Sequence, residues 1–114
     1  MDRSDLELRQ SVLLVFQVAL LGMVRPTLRG VTVGWTDRRI VGRCIFDGPI
    51  GDRDREDSTD VEGEVAASFP SHEVEVTARR ADYPRELNSE LLTAWVYVRN
   101  ESDLVPQPRP AGSP

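Results

Sequence analysis

The sequence predicts an α+β domain with the element order α-β-β-α-β-β, in which two helices pack on one face of an antiparallel sheet of about four strands. Two observations carry this prediction. Two segments place apolar residues at helical spacing, and four shorter segments alternate apolar and polar residues, as half-buried strands do. Covering one sheet face with both helices buries both apolar stripes in a single core, which suits a chain of 114 residues.

The first predicted helix extends from a capping box at residues 4–7 to about Met23. Between Val12 and Val24 only Gln17 and Gly22 interrupt the apolar run. The run is thirteen residues long, whereas a span of a bilayer needs about 20. Residues 1–9 hold three acids and two arginines, unlike the positive start of a signal peptide. We therefore expect a helix buried on one side and no membrane partner.

Four strands are predicted from alternating patterns. The first two lie near residues 31–35 and 40–46, and the short turn between them favours an antiparallel hairpin. The third covers residues 73–79 and the fourth about 92–99. In the fourth strand the alternation places Trp95 and Tyr97 together on one face.

The second predicted helix follows a dense acidic segment. Residues 47–64 hold eight acids and two arginines, a net charge of −6 in a chain of net charge −5. Val61, Val65 and Phe69 are spaced by four and form one apolar stripe, which Pro70 ends. Acids in the first turns of a helix also suit the positive end of its dipole, so this segment has an ordinary structural interpretation.

The functional interpretation of the same segment is electrostatic. A negative surface can imitate nucleic-acid phosphate and dock onto a basic enzyme surface, and two aromatic residues are candidate anchors for such a contact. The candidate partner-binding carboxylates are Asp52, Asp54, Glu56, Asp57, Asp60 and Glu64, and the candidate anchors are Trp95 and Tyr97.

Several classes of function are disfavoured. An isoelectric point near 4.8 argues against a nucleic-acid partner, because phosphate binding needs a basic surface. The only histidine is His72 and the only cysteine is Cys44, so the sequence shows no nucleophile-base pair and no zinc ligand set. A calcium loop beginning at Asp52 would need glycine at its sixth position, where Asp57 stands. We expect no catalytic residue, no metal and no cofactor.

Composition also predicts the domain boundary and the cellular compartment of the protein. Residues 1–100 are predicted to form one domain, and residues 101–114 a Pro-rich disordered tail. A single cysteine permits no intrachain disulfide, which favours the reducing cytoplasm.

Four segments together resemble a known family. They read ALLGMVRPTLRGVTVGW, RCIFDGPIGDRDREDSTDVEGEVAASFP, VEVTARRADYP and AWVYVRNE. The pattern resembles a family of small bacterial proteins that includes immunity proteins of contact-dependent growth inhibition systems, and the resemblance covers about residues 8–101. It implies a cytoplasmic protein that binds and neutralises the toxic C-terminal domain of a neighbouring effector, often a nuclease. It carries over no catalytic residue, because such an inhibitor has none.

Three hypotheses follow. The first is a non-enzymatic immunity protein that neutralises a cognate toxin domain through its acidic surface. The second is a self-associating, homodimeric cytoplasmic domain without a toxin partner, formed through an exposed sheet edge or the face of Trp95 and Tyr97. The third, a small enzyme, has the least support, because no catalytic constellation is visible in the sequence.

Overall fold

The computed structural model describes residues 3–102 and residue 104. In chain order the elements are α1 (Arg3–Ala19), β1 (Leu28–Trp35), β2 (Arg39–Phe46), α2 (Asp52–Ser68), β3 (Glu73–Arg80), a short 3-10 helix (Asn88–Glu90) and β4 (Ala94–Val98). The predicted α+β class with two helices and four strands is confirmed, and the order differs from α-β-β-α-β-β only by the 3-10 helix between β3 and β4. The first helix ends at Ala19 rather than near Met23, and the turn after it contains Gly22 with a positive φ of 79°, a conformation that glycine adopts without strain.

The sheet is mixed, so the prediction of an antiparallel sheet is wrong. Its strand order is β3-β2-β1-β4. β1 pairs antiparallel with both β2 and β4, but β3 runs parallel to β2. The reason is α2, whose 17 residues carry the chain back along the sheet before β3 begins, as a crossover between parallel strands must.

Both helices pack over one face of this sheet and share one core. Val12 and Phe16 of α1 and Val61 and Val65 of α2 are buried in a single cluster with residues of β1, β2 and β3. Close packing leaves no room for a side chain at position 42: a Cβ atom built on Gly42 would lie 2.9 Å from Cε1 of Phe16. The ring of the first helix therefore rests directly on the backbone of the second strand.

The opposite face of the sheet is covered by the segment 81–93, which connects the two edge strands β3 and β4. The guanidinium of Arg43 donates to the carbonyl of Glu90 at 3.0 Å, and the amide of Leu92 donates to Oγ1 of Thr32 at 3.0 Å. Ile45, on this face, is completely buried. A chain that leaves one edge strand and enters the other has to cross the sheet, and here it supplies the cover for the second face.

A bulge in β4 separates the two aromatic residues that alternation places together. Val31 pairs with Tyr97 but Thr32 pairs with Trp95, so one residue of β4 is unmatched between them. Tyr97 packs against the helix-side core, whereas the ring of Trp95 lies over Gly30, 2.9 Å from where a Cβ atom would stand. The prediction of a shared face for these rings is wrong, because the extra residue reverses the alternation.

An ion-pair network closes one end of the sheet. Arg29 is 2% exposed, and its Nε and Nη2 atoms donate to the two carboxylate oxygens of Glu101, each at 2.8 Å. Arg99 donates to the same carboxylate and to Asp47. We name Arg29, Asp47, Arg99 and Glu101 the sheet-end network. The domain boundary at residue 100 and the disordered tail stay predictions, since residues 103 and 105–114 lie outside the described part of the chain.

Candidate partner-binding surface

The apolar stripe of α2 determines which of its carboxylates reach solvent. Val61 and Val65 are buried against the sheet, so residues on the opposite side of the helix face outward. The helix begins after Gly51, whose amide donates to the carboxylate of Asp54 at 3.0 Å. Asp54 thus serves as one half of a capping box and satisfies an amide that the helix leaves unpaired.

Asp57 is a structural residue rather than an exposed one. It is 8% exposed, and both of its oxygens accept hydrogen bonds from Arg25, at 2.6 Å from Nε and 3.3 Å from Nη2. The hydrogen bond to Asp57 raises the pKa of Arg25. This pair ties the connection between α1 and β1 to the first half of α2, because Arg25 lies in that connection, three residues before β1 begins.

The four remaining candidate carboxylates form one exposed line along α2. They stand at intervals of four residues, which on a helix places them on one side, and all four are exposed. We name this set the acidic row: Asp52, Glu56, Asp60 and Glu64.

Cations barely neutralise the acidic row. Arg55 approaches Asp52 at 3.8 Å, but both side chains are largely exposed, and such pairs have little energetic weight. Within residues 3–102, Glu56, Asp60 and Glu64 have no ion-pair partner. From Glu56 to Glu64 the row therefore presents unpaired negative charges to solvent, one per helical turn.

The fold gains little from the second half of this row. Like charges spaced by four residues destabilise a helix by about 0.2–0.5 kcal/mol per pair. The helix dipole favours acids only within the first turn, where Asp52 lies, whereas Asp60 lies at the helix centre and Glu64 beyond it. Helix stability alone gives no reason for carboxylates at these two positions.

The aromatic candidates do not add a joint anchor to this surface. Trp95 and Tyr97 are half-buried and lie on opposite faces of the sheet. Their strand, β4, occupies the sheet edge opposite to β3, against which α2 packs. The acidic row and the two rings are consequently separate features of the molecule.

The two side chains that could react, Cys44 and His72, pack against their neighbours in the fold. Burial raises the pKa of the Cys44 thiol to about 11, and the thiol is 3% exposed. His72 is half-buried with its ring edge-on to Phe69, at a centroid distance of 5.5 Å. Among residues 3–102 and 104 no group of three or more histidine, cysteine or acidic side chains is arranged to hold a metal ion.

One further carboxylate of α2 serves the edge of the sheet. Oε2 of Glu62 accepts a hydrogen bond of 3.3 Å from the backbone amide of Val76, a donor on the edge strand β3. This contact satisfies one amide that strand pairing leaves open. In the described chain, no helix is long and apolar enough to pass through a lipid bilayer.

Sequence reasoning found the acidic segment but missed its organisation. Neighbouring acids such as Asp52, Asp54 and Glu56 diverge around the helix because they are two residues apart. The informative signal was the spacing of four from Asp52 to Glu64, which is visible in the sequence. The sheet-end network left no comparable signal, because Arg29 and Glu101 are 72 residues apart.

The fold and this surface define a small α+β protein with an exposed acidic row on one helix, a class suited to binding another protein. A family model described as MafI2 immunity protein matches residues 9–101. The chain belongs to the MafI2 immunity protein family. No curated protein matches the chain.

Proposed function

We propose that this chain is a non-enzymatic immunity protein that binds and neutralises the toxic domain of a bacterial effector in the cytoplasm of the producing cell. Membership of an immunity-protein family supports the protective role and a toxin partner. The acidic row supports the mode of binding, in which the carboxylates occupy a basic surface of the toxin. A nuclease is the class of toxin that fits best, since it binds phosphate through basic side chains.

The observation that carries this proposal is the exposure of Asp60 and Glu64. Asp60 lies at the centre of α2 and Glu64 in its C-terminal half, both beyond the first turn in which the helix dipole favours acids. Both lack ion-pair partners among residues 3–102. Charges that the fold leaves unpaired are available to a partner. Complementary charge across an interface accelerates association and makes it sensitive to salt.

A binding measurement tests the proposal with the toxin domain that we expect to be encoded immediately upstream of this gene. We compare the wild type with the double variant Asp60→Asn/Glu64→Gln. The matched control, Asp37→Asn/Glu73→Gln, removes the same two charges from exposed positions at the hairpin turn and on β3. For the acidic-row variant we expect an association rate lower on the order of tenfold at low salt, with a weaker salt dependence. The association rate of the control and its salt dependence should stay close to those of the wild type.

The outcomes separate the two parts of the proposal. A toxin that is bound and neutralised equally well by all three proteins would remove the acidic row from the interface and leave the immunity role standing. A toxin domain that the wild type neither binds nor inhibits would overturn the immunity role itself. Equal reductions of the association rate in both double variants would indicate that binding depends on the net charge of the protein rather than on this helix.

A further inference from the structure

The outer side of α1 carries apolar side chains that the fold does not bury. Leu14 and Val18 lie one turn apart on the helix, and Leu21 follows in the turn after it. Their exposed fractions are 61%, 54% and 75%. Isolated exposed leucines are common on protein surfaces, but a line of them at helical spacing makes a continuous apolar patch.

This patch continues onto β4 through a groove of about 190 Å³. Gln17, Leu21 and Val24 line one wall, and Val96 and Tyr97 of β4 line the other. The groove lies where α1 packs over the edge of the sheet. The helix patch and the strand therefore belong to one surface, which we name the α1–β4 surface.

The outer edge of β4 adds unpaired backbone groups to this surface. β4 is the last strand of the sheet and has β1 on one side only. The amides of Thr93 and Arg99 donate to carbonyls of β1 at 2.9 and 2.8 Å. Since alternate residues of an antiparallel strand point to opposite sides, the amide of Val98, next to Arg99, points away from β1. An exposed strand edge of this kind is a template for another strand.

The charge of the α1–β4 surface indicates what covers it. Residues 10–24 contain no charged side chain, and neither does Ala94–Val98, in a chain of net charge −5. A symmetric contact brings the same patch of two subunits together, so any charge in it would face its own copy. A neutral patch avoids that repulsion, whereas recognition of a basic partner would call for acids, which the chain places on α2.

We infer that the α1–β4 surface is the contact between two copies of this chain, related by a twofold axis. The β4 strands of the two copies pair antiparallel and extend the sheet to the order β3-β2-β1-β4-β4-β1-β2-β3. The axis stands perpendicular to the sheet, so the two α1 helices lie on the same face and their apolar patches approach each other. Strand addition supplies hydrogen bonds and the helix patches supply buried apolar area.

The dimer leaves the acidic row accessible. α2 packs against β3, at the edge opposite to β4, so the two acidic rows lie at the far ends of the extended sheet. Two partners can then bind one dimer without competing for space. The inference does not depend on the proposed function, because it uses a different surface and requires no toxin.

Sedimentation of the full chain tests the dimer directly. We expect the wild type to change with concentration from 12.8 kDa to twice that mass. Leu21→Glu and Leu21→Lys should each remain monomeric, since each places like charges against each other across the axis. An equimolar mixture of these two variants should recover the dimer, because opposite charges then meet. Leu91→Glu is the control, as Leu91 is exposed but follows the 3-10 helix on the other face.

Two results would overturn the inference. One is a wild type that stays monomeric up to millimolar concentration. The other is a dimer that Leu21→Glu leaves intact, which would place the contact elsewhere. Hydrogen exchange gives an independent readout that does not depend on any variant. The amide of Val98 should exchange quickly in dilute protein and become protected as the dimer forms, and protection that is the same at all concentrations would contradict strand pairing.

Discussion

Arg29 and Glu101 form the most buried ion pair of the described chain, with two parallel hydrogen bonds of 2.8 Å between guanidinium and carboxylate. The third nitrogen of Arg29 donates to the carbonyl of Ala81 at 2.7 Å, and its guanidinium carbon lies 5.6 Å from the centre of the Tyr83 ring. One side chain of β1 thus joins the start of the crossing segment to the residues that follow β4.

Removal of the Glu101 carboxylate is expected to destabilise the fold strongly. Glu101→Gln leaves the buried guanidinium of Arg29 without its counter-charge, and breaking a buried pair in this way costs roughly 3 kcal/mol. Urea unfolding followed by circular dichroism measures the loss. Asp82→Asn is the control, because Asp82 pairs with Arg80 where both side chains are about half exposed, and exposed pairs contribute little. Equal losses of unfolding free energy in the two variants would contradict a larger contribution of the sheet-end network to stability.

The same pair predicts how stability changes with pH. The hydrogen bonds from Arg29 hold the pKa of Glu101 below its ordinary value of 4.5, and the hydrogen bonds from Arg80 lower the pKa of Asp82 to about 2. A carboxylate with a lowered folded-state pKa contributes stability that is complete above its unfolded pKa and is lost as the pH falls through its folded pKa. We therefore expect the free energy of unfolding to decline as the pH falls below about 4.5.

A comparison of variants isolates the share of Glu101 in that decline. The difference in unfolding free energy between wild type and Glu101→Gln should be constant near neutral pH and should narrow as the pH falls below 4.5, because protonation removes the charge that the variant lacks. Urea titrations at a series of pH values down to about 3 measure this difference. A difference that stays constant to the lowest pH would mean that packing, not charge, sets the cost of the substitution.

Local patterns were sufficient to predict the elements of this fold but not their arrangement. The spacing of Val61 and Val65 identified α2, and alternation identified the strands, because burial on one face imposes these periods. The direction of β3 depends on where α2 returns the chain, which no local pattern records. The bulge in β4 also escaped prediction, since a single unmatched residue changes the face of Trp95 without changing the composition of the strand.

The candidate site shows the same division between local and non-local information. The sequence identified six carboxylates on one segment, and local spacing was enough to separate out the acidic row. It could not assign Asp57 to Arg25, because that pair joins residues 32 apart. Nor could it predict a buried Arg29, since arginine is seldom buried unless a partner is present, and the partner lies near the other end of the chain.

Replacement by asparagine should change the free energy of unfolding by different amounts at two acids of α2. Asp57→Asn removes the charge that binds Arg25 and is expected to reduce the free energy of unfolding by about 1–3 kcal/mol. Asp60→Asn removes an exposed, unpaired charge and should change it by at most about 0.5 kcal/mol. Thermal unfolding of the two variants tests this contrast. A larger loss for Asp60→Asn would show that the acidic row stabilises the helix and weaken its assignment to binding.

Two glycines give opposite predictions for replacement by alanine. In Gly42→Ala the new methyl group meets Phe16 at 2.9 Å and Val76 at 3.2 Å, and overpacking of this kind costs about 1–3 kcal/mol. In Gly63→Ala the methyl group meets nothing within 4 Å. Replacement of a glycine inside a helix by alanine stabilises the folded protein by about 0.5–1 kcal/mol. Chemical denaturation measures both changes. Stabilisation by Gly42→Ala would contradict the close contact of α1 with β2.

The thiol of Cys44 provides a probe of how the core opens. Its pKa of about 11 and its burial beneath α2 mean that neither the thiolate nor access for a reagent is available in the folded protein at mildly alkaline pH. Labelling with a disulfide reagent should therefore proceed only through opened molecules and be orders of magnitude slower than in urea. Since Glu101→Gln is expected to cost roughly 3 kcal/mol, it should accelerate labelling about 100-fold if global unfolding exposes the thiol. Equal labelling rates in wild type and variant would instead assign the exposure to local separation of α2 from the sheet.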